Sequence, residues 1–214
     1  GKRVGFDNVR ATAEMMGIKS PLRPDKANED KPAMCLGSMD VNLLELVNGY
    51  GTVANYGKHI DPVLVTRIVK TNPDGTEETI YNYEDEVDAN AAISARAAYF
   101  MQKMLSFGLT DGGGTSQPLT DYVDTYMNTT DFGGKTGTSN NYSDAWFVGT
   151  SPNLVAGVWV GGEYRCIHFT SGAQGQGSRT ALPICGRFFQ KVWGDSKLRP
   201  LVSAKYVGLN MPSS

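Results

Sequence analysis

The residues of this chain best suited to chemistry lie together in Gly134-Lys135-Thr136-Gly137-Thr138. The segment offers one cation, two hydroxyls and, at Gly137, a backbone with no side chain to hold a ligand off. On a strand, Lys135 and Thr138 stand an odd number of residues apart and face opposite ways. Their side chains and main-chain groups must therefore take different parts. Such an edge suits an extended peptide that ends in a carboxylate: the peptide adds through main-chain hydrogen bonds, and the cation and hydroxyls capture the charge. The main rival is a phosphate-binding loop, because Gly134-Lys135-Thr136 ends like a Walker motif. That motif needs a glycine five residues before Gly134, where this chain has Thr129, and an apolar strand before it, where residues 121–131 are polar. A plainer alternative is a Gly-rich turn leading into an ordinary strand, with the Thr136 hydroxyl satisfied by its neighbours.

Composition narrows the classes. A chain of 214 residues that is 40% hydrophobic and 20% charged can bury a core as an ordinary globular protein. A net charge of -2 leaves no electrostatic footprint for nucleic acid. No apolar run approaches the ~18 residues of a membrane span; the longest, Leu154 to Val160, has the length of a strand. The three cysteines, Cys35, Cys166 and Cys185, form no Cys-x-x-Cys pair, and their odd number argues against a disulfide framework. Cys35 reads as a small core residue, and a Cys166–Cys185 pair is left open. His59 and His168 stand apart with no neighbours at ligand spacing, so no metal is expected.

Periodicity and turn residues supply the elements that position the segment. Helices are predicted over residues 3–18, over 41–55 with Asp40 as cap, over 89–106 with Ile93, Ala97, Phe100, Met101 and Met104 buried, and over 180–193 with Pro183 in the first turn. Residues 63–69 and 79–83 read as a hairpin around Asn72-Pro73-Asp74-Gly75. Gly112 to Gly114 is a loop, with residues up to Ser116 mobile at the rim of a cleft. Three strands follow, containing residues 135–138, 144–149 and 155–160, the last two joined by a turn at Ser151-Pro152-Asn153. Their consecutive apolar residues call for cover on both faces. Trp146, Phe147 and Trp159 read as core, and Asp144 as a strand start bonded to local backbone. Residues 195–214 read as a tail or peripheral segment after one unit over 1–194.

Taken in order, Lys135-Thr136-Gly137-Thr138-Ser139-Asn140-Asn141, Asp144-Ala145-Trp146-Phe147-Val148-Gly149 and Val158-Trp159-Val160-Gly161 closely resemble the end of the transpeptidase domain of class A (bifunctional) penicillin-binding proteins. Upstream, Leu36-Gly37-Ser38, Leu43-Leu44-Glu45-Leu46 and Ala54-Asn55-Tyr56-Gly57 resemble the same family's helical stretch, and the likeness covers most of residues 3–193. It implies an α/β (α+β) fold, with an antiparallel sheet flanked by helices, as in the penicillin-binding protein and serine β-lactamase group, here incomplete. It implies serine acyl transfer between D-Ala-D-Ala stem peptides of peptidoglycan, with β-lactam antibiotics as ligands and no cofactor. By position, Lys135 matches the catalytic lysine that orients the Ser-x-Asn hydroxyl and attracts the substrate carboxylate. Thr136 and Thr138 match its hydroxyl partners, Gly137 the close-approach glycine, and the Thr138 N–H one arm of the oxyanion hole.

Two departures matter. No serine is followed by lysine at the third position, so the nucleophile motif Ser-x-x-Lys is missing. The Ser-x-Asn triplet Ser151-Pro152-Asn153 lies after the Lys-Thr-Gly element rather than before it, and reads as a turn. The resemblance therefore implies a fragment, inactive alone, of an extracytoplasmic enzyme anchored by a segment absent here. Its partners would be the remainder of the same protein, or a second copy through an open strand edge. A β-lactamase or carboxypeptidase relative, and a non-catalytic module that holds peptidoglycan peptides, remain alternatives.

Overall fold

In the computed structural model, which describes residues 3–22, 32–85 and 87–208, the segment lies at one edge of a three-stranded antiparallel sheet. The strands are β5 (Gly133–Thr138), β6 (Asp144–Thr150) and β7 (Val155–Gly161), in the order β5-β6-β7. The helices, in chain order, are α1 (Phe6–Met15), α2 (Leu43–Ala54), α3 (Ala95–Thr110), α4 (Thr120–Val123), α5 (Gly172–Gly175), α6 (Ala181–Gly194) and α7 (Arg199–Val202). Four further strands form two small sheets away from the segment. Strand β1 (Lys58–His59) pairs with β4 (Asn90–Ala91), and β2 (Arg67–Thr71) pairs with β3 (Glu77–Asn82).

Helices cover both faces of the sheet because small residues let them in. A Cβ on Gly157 would stand 2.3 Å from Val47 Cγ2 of α2, and one on Gly133 would stand 2.9 Å from Leu105 Cβ of α3. On the opposite face α6 lays Cys185, Phe189 and Trp193 against Phe147 and Phe132 in a fully enclosed core that also takes Leu109, Leu119, Val123 and Leu182. Burial of large apolar side chains of this kind contributes roughly 1.5–3 kcal/mol each. Beyond α7 the chain returns to the sheet, where Tyr206 is buried, its N–H donates to Asp131 Oδ2 at 2.9 Å, and Lys205 Nζ meets Asp131 Oδ1 at 3.0 Å.

Several local expectations change. Helix α2 is capped by Asn42, whose Oδ1 accepts from Leu44 N at 2.8 Å; Asp40 is instead paired with Arg165. Helix α3 starts at Ala95 behind the cap Ser94, because Asn90 and Ala91 are drawn into pairing with β1. Its buried stripe is Ala98, Gln102, Leu105 and Leu109, whereas Phe100, Met101 and Met104 are exposed together with Phe107. The hairpin is shifted toward its turn, where Asp74 Oδ1 accepts from Thr76 N and Thr76 Oγ1, which holds the Asp74 carboxyl below the usual carboxylate range. Cys35 is exposed rather than core, and all three thiols are free, so Cys166 and Cys185 are not joined. Cys185 lies under the sheet, and burial pushes its thiol up to about 12.

Candidate functional site

The register fixes which backbone groups of β5 are offered at the open edge. Ser139 N donates to Asp144 O at 3.0 Å, and Gly137 and Lys135 stand opposite Trp146 and Val148. Antiparallel pairs alternate between hydrogen-bonded and non-bonded, so the N–H and C=O groups of Gly134, Thr136 and Thr138 point away from β6. Two neighbouring contacts agree with this. Gly134 O accepts from Ser116 Oγ at 2.8 Å, and Thr136 O accepts from Lys135 Nζ at 2.8 Å. The Thr138 amide thus faces outward at the end of the edge.

The side chains divide as their spacing requires. Lys135 is exposed and shares a face with Gly137, where a Cβ would stand 3.1 Å from Trp146 Cβ. Thr136 and Thr138 lie on the other face, the one on which a Cβ at Gly134 would stand 2.6 Å from Phe147 Cζ. Thr136 Oγ1 meets Thr115 Oγ1 at 2.6 Å, and Thr138 Oγ1 accepts from Gly177 N at 3.0 Å. A tight turn closes the end of the strand: Ser143 Oγ donates to Asp144 Oδ2 at 2.7 Å and lies 2.9 Å from Asn141 Oδ1, and Asp144 N donates to Ser139 Oγ. Asp144 Oδ1 also accepts from Trp159 Nε1 at 3.0 Å, a longer reach than local backbone.

Of the three aromatic residues read as core, only Phe147 is enclosed. Trp159 is 40% exposed and Trp146 half-buried, with ring centroids 6.3 Å apart. They share the Lys135 face, where the cover from α2 reaches Gly157 but leaves Trp159 open. The loop after Gly112 is also more constrained than its glycines suggest, since Ser116 is buried and bonded to β5. Thr115, Ser116 and Gly177 are the contacts that the sequence did not reveal. A hydroxyl pair directly after a glycine run was the only signal for the first two.

A groove of about 490 Å³ lies elsewhere, between α2 and the β6–β7 turn, lined by Val47, Thr52, Ile60, Pro152 and Leu154. It sits at the Gly133 end of the sheet, away from Thr138. Ser151-Pro152-Asn153 forms that turn, with Ser151 N donating to Leu154 O at 2.8 Å. Among the described residues, no three His, Cys, Asp or Glu side chains gather as a metal site, and no helix is long and apolar enough to cross a membrane.

The family model described as the penicillin binding protein transpeptidase domain matches residues 2–164. The chain belongs to that family. Its relatives place it with the class A proteins. Penicillin-binding protein 1A of Aquifex aeolicus is 30% identical over 182 residues, which cover 85% of this chain and 22% of the relative. Penicillin-binding protein 1B of Haemophilus influenzae is 28% identical over 214 residues, 98% of this chain and 24% of the relative. The chain thus spans about a quarter or less of the length of these penicillin-binding proteins. The crystal structure of penicillin-binding protein 1A from Haemophilus influenzae shares the fold, with a TM-score of 0.76 at 20% identity over 97% of this chain and 33% of that one.

Proposed function

We propose that this chain is part of a serine-type D-Ala-D-Ala transpeptidase that cross-links peptidoglycan stem peptides and is acylated by β-lactams. The observation that carries the reading is the outward edge of β5: the amides of Thr136 and Thr138 point away from β6, on a strand that also carries the exposed cation of Lys135. A stem peptide lies along this edge. Lys135 attracts its terminal carboxylate, Thr136 and Thr138 supply hydroxyls, and Gly137 lets the backbones meet. Lys135 Nζ now bonds Thr136 O, a contact it exchanges for the stronger one to an anion.

The nucleophile comes from residues outside these 214, since no serine here stands three residues before a lysine. Its Oγ attacks the carbonyl of the penultimate D-Ala and expels the terminal D-Ala. The acyl group then passes to an amine of a second stem. The Thr138 N–H stabilises the oxyanion in both steps. The substrates place this reaction on the outer side of the cytoplasmic membrane, with an anchor supplied by chain beyond these residues.

The test is acylation of the full-length protein by penicillin, read by intact-mass spectrometry. One stoichiometric adduct on the serine of an upstream Ser-x-x-Lys motif is expected. A folded full-length protein that holds stem peptide but takes no adduct would make it a non-catalytic binding module.

A further inference from the structure

We infer that Thr115 is a positioning residue: it sets the direction of the Thr136 hydroxyl so that Thr136 donates its proton to the carboxylate of the ligand. This rests on the reading of β5 as the carboxylate-binding edge. The two oxygens are 2.6 Å apart, so one hydroxyl donates to the other. Each has a single proton. If Thr136 gives its proton to Thr115, it has none for a ligand. If Thr115 gives its proton to Thr136, the Thr136 proton is free. A carboxylate accepts only, so its arrival selects the second direction. The result is a two-hydroxyl relay, in which each bond polarises the next.

Thr115 is held in place for this from both sides. Ser116 is 2% exposed and anchored to Gly134 O at 2.8 Å, and Leu119, just beyond, is fully buried. Gly114 lies so close to the end of α3 that a Cβ would stand 2.1 Å from Gly108 O. Thr115 itself remains exposed, as a group that works at a ligand-binding edge must be. Neither the loop nor the strand can withdraw from the Thr115–Thr136 contact without breaking the Ser116 bond.

The test uses full-length protein and two penicillins, one with its free carboxylate and one with that group esterified. Binding and maximal acylation rate are measured separately. Thr115→Val, which keeps the shape and removes the hydroxyl, is expected to weaken binding of the free carboxylate on the order of three- to tenfold, the range of one net hydrogen bond. The maximal rate and the esterified probe should be unaffected, and Thr115→Ser should restore binding. If Thr115→Val fails to fold, Thr115→Ala is read in the same assay. Equal loss on both probes, no loss on either, or failure of serine to rescue would overturn the inference. Thr136→Val separates the two levels: if it leaves the carboxylate probe unaffected, the carboxylate reading of the edge falls too. If it acts while Thr115→Val does not, only the role of Thr115 falls.

Discussion

Gly177 N donates to Thr138 Oγ1 at 3.0 Å, tying the last residue of β5 to a segment 39 positions downstream. Residue 177 has no room for a larger side chain. A Cβ there would stand 2.4 Å from Trp146 O and 2.6 Å from Gly137 O, both backbone atoms of the sheet. Gly177→Ala must therefore move either the loop or the strand end. The expected loss is about 1–3 kcal/mol, as for other overpacked sites. Thermal unfolding measures it, and the Thr138 amide resonance should shift with it. An unchanged melting curve and resonance would show that the loop leaves at no cost.

Lys135 is the one cation of the Gly134–Thr138 segment and is exposed, so its removal should spare the fold. In full-length protein, Lys135→Ala is expected to slow acylation by carboxylate-bearing β-lactams at least tenfold, or about 1.4 kcal/mol and more. Acylation kinetics on a variant of unchanged circular dichroism decide it. Wild-type kinetics would show that Lys135 is dispensable for capture of the carboxylate.

The three thiols should separate by reactivity. Burial holds Cys185 protonated up to about 12, whereas Cys35 and Cys166 are exposed. Native protein treated with iodoacetamide at pH 8 should take two labels, and a third only after denaturation. The sign of the linkage follows. The folded value of Cys185 is raised above its ordinary 9.0, so its contribution to stability is complete below pH 9 and declines as pH climbs toward 12. Three labels on native protein would show that the helix α6 opens readily.

Much of the sheet and site was legible because it is local. The β6–β7 turn follows from Ser151-Pro152-Asn153, and the edge position of Gly137 from its lack of a side chain. What escaped depends on distant partners. Helix α3 carries two candidate stripes, and the one that packs includes a polar residue. Gln102 is 1% exposed and donates through Nε2 to Val53 O at 2.7 Å, so apolar periodicity favoured the wrong face. Trp159 lies outside the core because cover on its face stops near Gly157, which no pattern within β7 encodes. Thr115 and Gly177 reach β5 only through the tertiary fold.

On the proposed reading, and without a Ser-x-x-Lys serine, these 214 residues would contribute only positioning and oxyanion stabilisation to acyl transfer. The isolated chain should therefore take no covalent adduct from a fluorescent penicillin, as judged by intact mass. A stoichiometric adduct on any of its serines would reveal a nucleophile of another kind.

The isolated chain should also associate. Among the described residues β7 pairs only with β6, so its other edge presents unpaired backbone groups, a template for another strand. Helix α3 adds a second adhesive surface, with Met104 60% and Phe107 63% exposed beside Phe100 and Met101. Light scattering at micromolar concentration should find dimers or larger species, and supplying the remainder of the protein as a second chain should suppress them. The double substitution Met104→Glu, Phe107→Glu tests the share of α3. Both side chains are exposed, so the fold should survive while association weakens. If association persists, the β7 edge carries it. A cooperatively melting monomer in the unmodified chain would show that both surfaces are tolerated in water, and that the sheet closes on three strands alone.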